Sequence, residues 1–225
     1  MPLKSKKSCS GFTLIELLIV IGIIAILASI TFGLFSGVRS AQARAQAKVE
    51  LAVIQQALEQ YKSRYGDYPW HDSNTGDYPT PPHPEKPDES IEITNVMLLY
   101  ALTGRTKFEP QNGEEPVSKV ADSLEDEEVE NAPKFLDISK FYTPEDESGN
   151  PVALLDPWGN PYIYWYKWEN SPAAWDMFGY HLYSTGPEGE EANDAIKGKI
   201  TESTGVLDSD FREVADAAGI IFVGE

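Results

Sequence analysis

Cysteine is nearly absent. The only one in 225 residues is Cys9, ahead of the first long apolar run. A single thiol forms no intrachain disulfide. Lipidation at Cys9 is not expected, because the apolar run follows it rather than precedes it. Basic residues are also scarce, with 18 Lys and Arg against 36 Asp and Glu and a formal net charge of −18. Such a surface repels nucleic acid and anionic lipid heads, and suits a divalent cation better than an anionic ligand. Histidines number three. His71 and His83 stand twelve apart in a proline-rich stretch, a poor spacing for a metal site. There is no G-x-S-x-G, no H-E-x-x-H, no P-loop and no C-x-x-C. His181 has no evident nucleophile beside it, so an enzyme is the weakest functional class.

What is present begins at the N-terminus. Residues 1–11, MPLKSKKSCSG, are short, hydrophilic and basic. FTLIELLIVIGIIAILASITFGLF follows, with no charged side chain from Leu17 to Phe35. Roughly 20 helical residues span a hydrocarbon core. Lys4, Lys6 and Lys7 precede the run and should stay cytoplasmic, with the rest exported. An ordinary signal peptide places its cleavage site after the apolar run; here the plausible site, Gly11–Phe12, comes before it. Glu16 lies inside the run, where a carboxylate costs about 2.5–3.5 kcal/mol on insertion scales and therefore needs a partner. Gly22, Gly33 and Gly37 interrupt the run. Gly33 can loosen the helix locally or allow close helix packing.

Gly11-Phe12-Thr13-Leu14-Ile15-Glu16 closely resembles the class III leader of prepilins and prepseudopilins. The resemblance covers residues 11 to about 65. It implies that a prepilin peptidase cuts after Gly11 and methylates the new N-terminal Phe12. It also implies that Glu16 pairs with the N-terminal amine of a neighbouring subunit and sets axial register in a fibre.

Beyond Arg39 the pattern is amphipathic. Ala47, Leu51, Ile54, Leu58, Tyr61 and Tyr65 are spaced by four and three, one stripe of a helix. The helix is predicted to continue unbroken to about Arg64, about 80 Å from residue 12 at the helical rise. Gly66 should end it and Pro69 forbids its resumption. GDYP at Gly66–Pro69 and Gly76–Pro79 reads as two turns in a proline-rich connection. Ile93–Thr103 reads as a short helix closed by Gly104. The acidic run over residues 122–130 reads as a solvated face or loop.

In the C-terminal third, Asp156 to Pro161 reads as a turn. Tyr162–Trp168 reads as a strand and Gly179–Ser184 as its partner. Ile163 and Trp165 fall on one face and Tyr162, Tyr164 and Tyr166 on the other; packing on the amphipathic helix would bury one of them. The remaining aromatics suit contacts between packed subunits, or a sugar platform. DPWGNPY, a strand and then LYSTGPEG closely resemble the C-terminal region of the major, G-type pseudopilin of type II secretion. Members of that family bind calcium in the Y-S-x-G-x-D-G loop. Tyr183, Ser184, Gly186 and Gly189 match it. Glu188 stands where aspartate is usual, Ala195 replaces the acid before Ile196, and the following tryptophan is absent. Glu188, Glu190, Glu191, Asn193 and Asp194 still crowd oxygens suited to Ca²⁺, with Glu188 and Asp194 as the candidate ligands. In the tail, Asp208–Ala218 reads as a helix and Gly219–Val223 as a strand, whose place in the sheet the sequence leaves open.

The expected fold is therefore α+β, a long N-terminal helix on a small antiparallel sheet. The expected organisation is a leader (1–11), a transmembrane and fibre-core helix (12–38), an amphipathic helix (39–66) and a periplasmic globular domain (67–225). The resemblance implies a pseudopilus subunit of type II secretion. Its partners would be copies of itself, other pseudopilins, the prepilin peptidase and the inner-membrane assembly platform. A surface type IV pilin for adhesion, motility or DNA uptake is the alternative. Such pilins typically carry a C-terminal disulfide loop, which this chain cannot form. Tip subunits of such fibres commonly lack the glutamate, so Glu16 favours a repeating subunit.

Overall fold

The computed structural model describes residues 12–70, 93–109, 117–120, 133–145, 149–167, 172–201 and 204–223; within these, the side chains of 28–37, 93–94, 106–109 and 117–120 are not described. Cys9, Gly11, His71, His83, the second GDYP, the acidic run 122–130 and Trp168 lie outside the described residues. The chain is α+β and divides into two compact units, Met1–Gln42 and Ala43–Glu225. Helix α1, Leu14–Tyr65, contributes to both.

In the first unit the large apolar side chains from Leu14 to Leu27 are exposed on every face of the helix. A helix apolar all round is stable only when something covers it. Among the described residues no helix is long and apolar enough to cross a membrane. The uncharged run of residues 17–35 includes 28–35, whose side chains are outside the described set.

In the second unit the stripe Ala47, Leu51, Ile54, Leu58 and Tyr61 is fully buried, joined by Ala57. Tyr65 packs at its edge. Gly66 ends α1 with φ 93°, its amide donating to the Lys62 carbonyl. Helix α2, Ile93–Thr103, is buried from Val96 to Thr103 and lies in the same core as α1. Gly104 closes it at φ 78°. The amides of Phe135 and Leu136 then donate to the Leu102 carbonyl, strapping a later segment across the helix end. Strands β1, Thr106–Glu109, and β2, Val117–Val120, form an antiparallel pair.

The main sheet is antiparallel, in the order β3–β4–β5. It comprises β3, Ile163–Trp165; β4, His181–Ser184; and β5, Ile221–Phe222. Ile163 pairs with Tyr183, Trp165 with His181, and Ser184 with Ile221. β3 is shorter than the run Tyr162–Trp168 suggests. Lys167 turns into the left-handed region (φ 43°), which carries its ammonium to Asp67 and ends the extended stretch.

Two expectations are corrected here. The sheet buries both faces rather than one. Tyr162 and Tyr164 face the α1–α2 core, while Ile163 and Tyr183 join a second cluster with Ile196, Phe211 and Ala215. The cover for that second face comes from helix α3, Glu190–Lys197, and, in the tail, helix α4, Phe211–Ala217. α3 falls where the acidic residues suggested a loop. Ala192 and Ile196, four apart, are its buried stripe, and the acids occupy the solvent side. The tail strand is β5, and it extends the sheet beside β4.

Candidate functional site

Two places carry the residues that the sequence singles out. The first is the start of α1. Phe12 is exposed, and Thr13 precedes the first helical turn. The Thr13 amide and hydroxyl both donate to Glu16 Oε2, at 2.8 and 2.7 Å, and the Glu16 amide reaches back to Thr13 Oγ1 at 3.4 Å. This is a capping box, threonine followed three residues later by glutamate, which satisfies backbone donors that the first turn leaves free. Glu16 therefore has a local partner in its own chain. The sequence reading missed it, although Thr-x-x-Glu ahead of an apolar run is its recognised signal.

The second place is a clasp between the DPWGNPY turn and the loop after β4. Asp156 is 2% exposed. Its Oδ1 accepts the amides of Trp158 and Asn160, at 3.0 and 2.9 Å, which closes the turn. Its Oδ2 accepts the Ser184 hydroxyl at 2.7 Å, and Ser184 Oγ in turn accepts the Gly186 amide. The Asn160 side-chain amide donates to the Gly186 carbonyl at 2.8 Å. The two stretches that resemble the G-type pseudopilin thus contact one another directly. Gly186 (φ 65°) lies so close to the Gly219 carbonyl that a Cβ would sit 2.8 Å from it.

Burial pushes the Asp156 carboxyl up to about 6, against hydrogen bonds from Ser184, Asn160 and Trp158 that favour the charged form; the nearby charge of Glu50 adds to the rise. Glu50, buried on α1, accepts the Tyr162 hydroxyl on Oε2 and the Gln46 amide on Oε1. Burial and then Glu50 raise the Tyr162 hydroxyl well above the ordinary phenol range. The Tyr164 hydroxyl donates to the Pro69 carbonyl. Tyr162 and Tyr164 are core residues with satisfied hydroxyls. His181 is buried, with Nε2 2.8 Å from the Gly205 carbonyl, and burial lowers its pKa. It is a strand residue facing Trp175, as its place between Tyr180 and Leu182 suggests.

Ca²⁺ takes six to eight oxygens converging on one point. Glu188 is exposed in a short 3-10 turn, and Asp194 is exposed on α3. Asn193 Oδ1 already accepts the Tyr183 hydroxyl. Among the described residues no group of three or more His, Cys, Asp or Glu side chains could hold a metal ion. The two candidate ligands therefore lie on separate elements, and the described residues assemble no calcium donor set around them.

Residues 6–32 match the family model of the prokaryotic N-terminal methylation motif. The match supports a type IV pilin-like prepilin. It brackets Gly11, Phe12 and the capped Glu16, together with the exposed apolar start of α1. No curated protein and no solved structure matches the chain. The clasp at Asp156, Asn160 and Ser184 therefore rests on its own geometry.

Proposed function

We propose that the chain is a structural subunit of a type II secretion pseudopilus. A prepilin peptidase cuts between Gly11 and Phe12 and methylates Phe12. Residues 12–38 then cross the inner membrane once, with the N-terminus cytoplasmic and residues 67–225 periplasmic. The partners are further copies, other pseudopilins and the inner-membrane assembly platform. The chain binds no nucleic acid and catalyses no reaction.

The mechanism is mechanical. A helix that exposes Leu14 to Leu27 on all faces requires lipid or other helices around it. Lipid covers it in the waiting subunit, and neighbouring helices cover it in the fibre. Exchange of one cover for the other lets an assembly ATPase system extract subunits, and fibre growth pushes exported proteins outward. Glu16 Oε2 is held by Thr13, which leaves Oε1 to meet the methylated amine of a neighbouring Phe12 and set axial register.

The observation that carries the reading is the methylation motif at the head of this exposed apolar helix. The clasp between DPWGNPY and YSTGPEG, and the absence of cysteine after Cys9, support the secretion pseudopilus over a surface pilus. Deleting the gene and measuring secreted enzymes and twitching separates the two. Loss of secretion with twitching retained, unrescued by Glu16→Ala, supports the proposal. Loss of twitching, adhesion or DNA uptake with secretion intact assigns the chain to a surface pilus instead.

A further inference from the structure

Helix α2 ends in a turn whose geometry buries a cation. Gly104 takes φ 78°, and the Arg105 amide donates to the Tyr100 carbonyl at 2.9 Å. This closure lays the second residue beyond the helix against the side chain that begins its last turn, commonly as an apolar contact. Here that residue is arginine, and its guanidinium lies over the Tyr100 ring, 4.1 Å from the centroid. Arg105 is 2% exposed. Its Nη1 donates to the Pro151 carbonyl at 3.2 Å, and its buried Nε has no hydrogen-bond partner among the described residues.

A buried guanidinium is costly unless a counter-charge meets it. The Tyr100 ring, the Pro151 carbonyl and the C-terminal end of α2 each supply partial negative charge. None supplies a full one. Among the described residues the ion pairs are Lys167–Asp67 and Lys199–Asp210, and neither involves Arg105. Arg105 lines a cavity of about 490 Å³ together with Lys134, Asp137 and Pro151. Asp137, the one carboxylate among the described residues of that lining, accepts the Ser139 amide and caps a short 3-10 turn. Lys134 is exposed and brings a second cation to the same cavity.

We propose that this cavity binds a carboxylate, with Arg105 as the fixed donor and Lys134 as the mobile one. A guanidinium matches a carboxylate through charge-assisted hydrogen bonds. The charge fits as well. One carboxylate neutralises one buried cation, whereas a chain of net charge −18 repels a dianion more strongly. The carboxylate comes either from a free small acid or from an aspartate or glutamate of a second copy. For copies that repel at long range, such a cavity is a local point of attraction. The proposal does not depend on the pseudopilus reading.

The test uses the full chain in detergent micelles with ¹⁵N-labelled arginine. The Arg105 Nε–H resonance is followed as acetate replaces chloride at constant ionic strength. The expected result is a saturable shift, with acetate binding at least fivefold weaker in Lys134→Glu. Lys134 is exposed, so Lys134→Glu keeps the fold. An unmoved resonance, or an equal shift in Lys134→Glu, overturns the proposal. Sedimentation of the same samples identifies the source. Self-association weakened by acetate and by Lys134→Glu assigns the carboxylate to a second copy, and unchanged self-association assigns it to a free acid; either upholds the site.

Discussion

The Asn160 side-chain amide donates to the Gly186 carbonyl at 2.8 Å, joining the turn before β3 to the loop after β4. The same asparagine fills the space over Gly189, where a Cβ would lie 2.8 Å from Asn160 Oδ1. Gly189 adopts φ 58° and ψ −123°, a region essentially reserved for glycine. Gly189→Ala should therefore destabilise the fold by about 1–3 kcal/mol. Asn160→Ala should cost about 1 kcal/mol through the lost bond. Urea denaturation followed by tryptophan fluorescence measures both. Stability unchanged in Gly189→Ala would show that the clasp is not as tight as described.

Asp156 predicts a pH dependence. Burial raises its carboxyl from an ordinary 3.8 to about 6. Between those values the folded chain holds a proton that the unfolded chain releases. This group's contribution to stability therefore falls as pH rises through that window, by about 3 kcal/mol in all. Asp156→Asn removes that slope. The stability of the native chain relative to Asp156→Asn should decline from about pH 4 to pH 7 and stay level above it. A pH-independent difference would contradict the assignment.

The Glu50–Tyr162 pair crosses from α1 to the base of the sheet. Tyr162→Phe removes a donor from a buried carboxylate and should cost roughly 1–3 kcal/mol. Adding Glu50→Gln to Tyr162→Phe should recover part of that loss, because the charge that needed the donor is gone. A double-mutant cycle by chemical denaturation reads the coupling, and strict additivity would count against it.

Calcium should leave the fold unmoved. With Glu188 and Asp194 exposed on separate elements, replacing EGTA by millimolar Ca²⁺ should shift the thermal midpoint by less than about 2 °C. A larger rise, abolished by Glu188→Gln or Asp194→Asn, would establish a site that the described geometry does not provide.

How far the sequence foretold these features depends on their range along the chain. The stripe from Ala47 to Tyr61 was legible because a helix repeats locally, and α2 was legible because Gly104 marks its end. Helix α3 was not, because Ala192 and Ile196 alone carry its buried face amid acids. Burial of both faces of β3 was foreshadowed by aromatic and aliphatic residues on each side, which a one-sided sheet does not need. The bond from Ser184 to Asp156 bridges 28 residues, and nothing local announces it. At the N-terminus, the GFTLIE segment indicated cleavage and methylation, while the capping role of Thr13 in the same six residues went unread.

The central claim is that this chain is a prepilin, cut between Gly11 and Phe12 to free the amine that Glu16 awaits. Intact-mass and N-terminal peptide analysis of the chain, coexpressed with a prepilin peptidase, tests it most directly. The account predicts a product beginning at Phe12 and carrying one added methyl group on its amine, with Gly11→Ala left uncut. A chain that keeps residues 1–11, or is cut after the apolar run instead of before it, would contradict the account.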